Sequence, residues 1–174
     1  MRWPRRLAAL GLMAGVFFLV GGCFFLRAPV PESPAVVLGP VVGGVGQTVE
    51  IPVDVAGFPE PGVGGLAVFA FRYDPAVLRV DEIVGQNGFL VVCSCVNNEE
   101  GLAKFIAVHP GAGLTTGTVA LLRGVRLALG DPRCTLEPGD LQLVDAVNVR
   151  LEGYVVRVSG APLYAGCTNP RQGF

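Results

Sequence analysis

An all-β fold, a sandwich or a barrel, is what the 174-residue sequence predicts, and three observations carry that reading. "TVEIPVDV", residues 48–55, alternates apolar and polar residues with period two, the mark of a half-buried strand. Further short apolar runs follow, separated by turn-forming clusters such as "NNEEG", "HPGAG", "GDPR" and "EPGD", and the chain carries 25 glycines and 14 prolines. No window after the N-terminal segment has the 3.6-residue apolar period of an amphipathic helix.

The elements follow in chain order. Met1 to Arg6 contains Arg2, Arg5 and Arg6, and residues 7–22 are uncharged and mostly apolar, ending in Val20-Gly21-Gly22-Cys23. A basic start, an apolar stretch and small residues before a cysteine form an export signal, which does not belong to the fold. The stretch resembles a bacterial lipoprotein signal, and that resemblance implies cleavage before Cys23 and acylation of its thiol. An uncleaved anchor helix is the alternative, because Phe24, Phe25 and Leu26 prolong the apolar run to about the 20 residues a span needs. In either case the arginines stay cytoplasmic and the rest of the chain faces outward, in the cell envelope. "APVPESP", within a tether of residues 23–34, favours extended polyproline II and acts as a semi-rigid spacer. The folded part is expected over residues 35–160, with a tail over 161–174.

In residues 48–55, Val49, Ile51, Val53 and Val55 share one face, and Pro52 points to an edge strand or a bulge. Residues 66–73 are apolar on both faces until Arg72, which suggests a central strand. Asp74-Pro75 then makes a turn, Pro75 by fixing φ and Asp74 by bonding the backbone beyond it. Leu78 and Val80 resume one face. Further strands are expected over residues 89–96, 102–108, 118–129, 141–147 and 154–158.

Hydrophobic residues make up 51% of the chain, charged residues 16%, and the net charge is -1, which suggests neither nucleic-acid binding nor a disordered acidic tail. With Cys23 assigned to lipid, Cys93, Cys95, Cys134 and Cys167 remain, an even number in an oxidising compartment. Cys93 and Cys95 lie two apart and share a strand face, so each is expected to pair with a different partner, Cys134 or Cys167, in an order that spacing leaves open. A Cys167 link would hold the tail. Cys-Ser-Cys lacks zinc spacing, so no metal is expected.

Catalytic readings find little support. His109 is the only histidine and sits beside Pro110 in a glycine-rich loop, the setting of a surface or binding residue. Asp81-Glu82 and Glu99-Glu100 do not face each other across a cleft as glycoside hydrolysis requires. Residues 97–100 lack EF-hand spacing, "GGVGQT" lacks the lysine of a phosphate loop, and Ser94 lacks a Gly-x-Ser-x-Gly setting. Neither an enzyme nor a bound cofactor is expected.

"FAFRYDPAVLRV", residues 69–80, resembles the cohesin family of bacterial cell-surface modules through Phe69, Phe71, Tyr73, Asp74, Pro75, Leu78 and Val80. "GQTVEIPVDV", "NNEEGLAKFIAV", "GTVALLRGVRL" and "LVDAVNVRLEG" fall in that family's order. The resemblance implies a jelly-roll β-sandwich of about nine strands, related in fold to carbohydrate-binding modules, that binds dockerin modules of enzymes through one sheet face without catalysis. Tyr73, Asp74 and Pro75 would then form a fold-defining corner. Where cellulosomal cohesins display polar residues on the dockerin-facing strand, this chain has Leu66 and Val68. The candidate partner face is Leu66, Val68, Ala70, Arg72 and His109, although the apolar three pack inward if the strand is covered, and burial is the favoured reading. The expected partner is a protein module, dockerin-like, with a polysaccharide or a neighbouring envelope subunit as alternatives. A single Trp, inside the signal, and three Tyr offer little for sugar stacking.

Overall fold

Alternation of apolar and polar residues builds two sheets whose apolar faces meet. The computed structural model describes residues 33–159. Its strands are β1 (Ala35–Leu38), β2 (Thr48–Ala56), β3 (Val63–Arg72), β4 (Leu78–Gly85), β5 (Leu90–Asn97), β6 (Leu102–Val108), β7 (Gly117–Arg126), β8 (Thr135–Leu136), β9 (Leu141–Asp145) and β10 (Val155–Val158). One sheet has the order β10-β1-β2-β7-β4 and the other β5-β6-β3-β8, with β9 also paired to β3. β1 and β10 run parallel, and the other ladders described are antiparallel. The fold is therefore the expected all-β sandwich, with a three-residue 3-10 turn, Pro138–Asp140, as its only helix among the described residues. The signal, the anchor alternative, most of the proline tether, the tail, Cys23 and Cys167 lie outside the described residues.

The core follows from the period-two faces. Val49, Ile51, Val53 and Val55 of β2 are all buried, as their alternation requires, and meet Leu66, Val68, Phe71, Phe105 and Leu143 from the opposite sheet. Ten strands replace the expected nine. β1 was not anticipated because "AVVL" directly follows the proline segment, and β8 because two residues carry no period. β2 is flanked by β1 and β7, so Pro52 is not on an edge strand. It sits where β1 ends and beside a bulge between Val53 and Asp54, and its carbonyl accepts a hydrogen bond from Gly39 N (2.8 Å).

The corner after β3 is a hydrogen-bonded turn. Asp74 Oδ1 accepts from Ala76 N (2.9 Å), and the Asp74 carbonyl accepts from Val77 N and Leu78 N (3.0 and 2.9 Å). Tyr73, buried, stacks on Phe71 at 5.7 Å and donates its hydroxyl to Asn98 Oδ1 (2.7 Å). Asn98 also accepts from Val80 N (2.9 Å) and donates to Val80 O (2.8 Å), which stitches the β5–β6 hairpin to β4 of the other sheet.

Candidate functional site

The two outer faces of the sandwich differ in chemistry. On the β2-β7-β4 side, Glu50, Arg123 and Glu82 lie opposite one another in the ladder, and Arg123 bridges both carboxylates at 2.8 and 3.1 Å. Arg79 pairs with Asp81 at 2.7 Å. That face is ion-paired and solvated. The outer face of β5-β6-β3-β9 instead exposes Phe69 (49%) and Ile106 (40%), with Ala67, Lys104 and Gln142 around them. Arg72 and Asp140, an ion pair at 2.7 Å, close its far end. Phe69, Arg72, Gly101, Lys104 and Asp140 line a shallow depression there.

The phase of β3 decides which residues face out. Leu66 pairs with Ala107 and Leu143, and Val68 with Phe105 and Leu141, all of them core residues. Leu66, Val68 and Ala70 are 1%, 2% and 5% exposed, so these three members of the candidate partner face are not part of it. Burial was the favoured reading of the strip. The comparison of Leu66 and Val68 with outward polar positions falls with it, since both point inward. A bulge between Val68 and Phe71 shifts the phase, so Ala70 and Phe71 are both covered. Arg72 is on the exposed face. His109 sits at its rim, half-buried: its ring packs edge-on against Phe89 at 5.2 Å, and its Nδ1 accepts from Gly111 N at 3.1 Å.

Sequence reasoning missed Phe69 and Ile106. Lys104 gave a signal, because an exposed lysine fixes the outward phase of β6 and places Ile106 beside it on the same face. Linking that phase to Phe69 needed the register of β3 on β6.

Other candidates resolve into structural roles. Asn97 Oδ1 accepts from the backbone of Glu99 and Glu100 (3.1 and 3.3 Å), which makes residues 97–100 a capped hairpin turn. Among the described residues, Cys93, Cys95 and Cys134 form no disulfide with one another. Cys134 adjoins β8, and β5 lies three strand spacings away, roughly 14 Å. A disulfide needs Cα atoms within about 7 Å. The expected pairing of Cys134 with Cys93 or Cys95 is thereby corrected: strand order, invisible in Cys spacing, separates them. Cys134 packs against the core, and burial pushes its thiol up to about 12, so it is a protonated, unreactive group at neutral pH.

The cohesin domain family model matches residues 34–122, more than half of the chain. The chain belongs to the cohesin domain family. Over 52 residues it is 51% identical to cellulosomal-scaffolding protein B of Acetivibrio thermocellus, a stretch that covers 29% of this chain and 7% of that protein. Among solved structures, this cohesin resembles the type II cohesin dyad from the adaptor ScaA scaffoldin of Acetivibrio cellulolyticus, with a TM-score of 0.63 at 16% identity over 75% of this chain and 49% of that one. It also resembles the third ScaC cohesin of the same organism, solved in complex with the ScaB dockerin, with a TM-score of 0.58 at 18% identity over 71% and 94% of the two chains. At such identities the structures show a shared fold. The chain spans 7% of the length of the curated relative described and about half of the dyad.

Proposed function

We propose that this chain is a non-catalytic receptor that captures a dockerin-like protein module on the outer face of β5-β6-β3-β9. The observation that carries the reading is the contrast between the two outer faces. One joins Glu50, Arg123 and Glu82 in an ion-paired row, while the other leaves Phe69 and Ile106 exposed beside Lys104. An exposed aromatic among apolar and cationic neighbours is the composition of a contact centre, and the Arg72–Asp140 pair supplies a polar rim. A polysaccharide ligand fits less well, because Phe69 is the only exposed aromatic ring among the described residues and sugar stacking uses several.

Calorimetric titration of the full chain with a panel of type I and type II dockerin modules tests this. A saturable one-to-one complex is expected, and Phe69→Ala should weaken it about tenfold or more, the loss associated with a central interface residue. Arg123→Ala, on the opposite face, should leave the affinity unchanged. No dockerin binding, or equal losses from both substitutions, would remove the proposal.

Display outside the cytoplasm on a membrane tether completes the reading, supported by the arginine-led apolar segment and by Cys23. In the producing bacterium, Cys23→Ser is expected to abolish incorporation of labelled fatty acid. Unchanged labelling would exclude acylation at that residue.

A further inference from the structure

The strand that borders the binding face is an unprotected sheet edge. Among the described residues β5 pairs with β6 alone, and its sequence, "LVVCSCVN", has no charge and no proline along eight residues. Leu90 and Val92 are 57% and 59% exposed, and Cys93, Ser94 and Cys95 are exposed as well. Edge strands are normally guarded by charges, prolines or brevity. The edges at β4, β10 and β8 follow that rule: β4 carries Arg79, Asp81 and Glu82, β10 is four residues long and contains Arg157, and β8 has two residues.

The β5 edge is also self-complementary. Cys93 and Cys95 lie on the outward face, opposite Ile106 and Lys104, and the bulge between Val91 and Cys93 leaves residues 93–97 in regular register. If two copies of β5 meet antiparallel about a two-fold axis at Ser94, Cys93 of each faces Cys95 of the other. Directly opposed residues have Cα atoms about 4.5–5.5 Å apart, inside the range a disulfide spans. Within one strand, by contrast, two residues separate the thiols by about 6.6 Å along the chain, so Cys93 and Cys95 do not close on each other while β5 stays extended. Cys134 is out of reach. An uncharged strand meeting its own copy opposes no like charges.

We infer that the chain forms a symmetric homodimer through β5, locked by two interchain Cys93–Cys95 disulfides. The pairing extends one continuous sheet across both copies and sets their outer faces side by side, giving a receptor with two adjacent binding faces. In each bridge two thiols lose two protons and two electrons and form one sulfur–sulfur bond. The electrons pass by thiol–disulfide exchange to a small-molecule disulfide, whose own bond breaks to two thiols.

The test uses detergent-extracted full chain, exposed to oxidised glutathione and analysed by light scattering, non-reducing electrophoresis and peptide mapping. A mixture of unlabelled and 15N-labelled chains is expected to yield light–heavy peptides joining Cys93 to Cys95. The pairing rule makes the sharper prediction. Cys93→Ser alone, or Cys95→Ser alone, should lose at least nine-tenths of the covalent dimer, whereas mixing the two variants should restore it as a heterodimer with one bridge. Under reducing conditions Ser94→Lys, which sets two ammonium groups on the axis, should lower the dimer fraction at least tenfold while the strand content by circular dichroism is unchanged. Covalent homodimers from either single variant would overturn the inference. So would bridges joining Cys93 or Cys95 within one chain or to Cys167, or a chain that stays monomeric under oxidant. None of these readouts involves a dockerin, so this inference and the proposed function fail separately.

Discussion

Replacing Asn98 with alanine is expected to lower the unfolding free energy by about 3 kcal/mol, because it strands three polar groups at once and each costs about 1–3 kcal/mol when partly buried and unpaired. Those groups are the Tyr73 hydroxyl and both backbone groups of Val80, held by Asn98 at 2.7, 2.9 and 2.8 Å. Val80 lies on β4, the edge strand of its sheet, directly before a bulge between Val80 and Glu82, and its backbone N–H and C=O face Asn98. Urea titration should show a lower midpoint with an unchanged slope. Tyr73→Phe, which removes one of the three bonds, should cost about 1 kcal/mol. A loss below about 0.5 kcal/mol for Asn98→Ala would show that water replaces the side chain and that the link between the sheets is not structural.

An effect at least as large is expected from Gly124→Ala. Gly124 lies mid-strand in β7, between Val49 of β2 and Val80 of β4, where a glycine would ordinarily weaken a sheet. At the bulge, however, the Arg79 carbonyl occupies the place a Cβ would take. A methyl group there meets backbone, which cannot rotate aside, so β4 must leave β7. The cost is expected at or above the upper end of the 1–3 kcal/mol that overpacking incurs, about 3 kcal/mol or more, read from the same urea titration. Gly139→Ala is the control. Nothing lies within 4 Å of the Cβ it would add, and its stability should be unchanged. Equal stability of both variants would show that the ladder moves to accommodate the methyl group.

Both effects act on one feature, the bulge at Val80, and the sequence names neither residue. Asn98 reads as one of several polar residues in a turn, and Gly124 as a weak point in a strand. Each matters because of a residue far away in the chain, Val80 and Tyr73 for Asn98 and Arg79 for Gly124. The same distinction separates the two faces of β3. That residues 66–73 hold a central strand was legible from their composition, and β3 is flanked on both sides. That Phe69 rather than Val68 faces solvent was not, because both neighbours of an apolar strand position look alike until a partner strand fixes the phase.

The amino-acid sequence by itself determined the class of the fold, the position of most strands and turns, and the family. Those depend on local chemistry: which residues alternate, which ones fix φ, and in what order the signatures run along the chain. Only the tertiary structure decided that Leu66 and Val68 lie inside, that Cys134 is beyond the reach of Cys93 and Cys95, and that β5 stands at an open edge. Strand order, register and bulges set those outcomes. They arise from hydrogen bonds between segments far apart in sequence, and a shift of one residue in any of them turns a side chain from core to solvent.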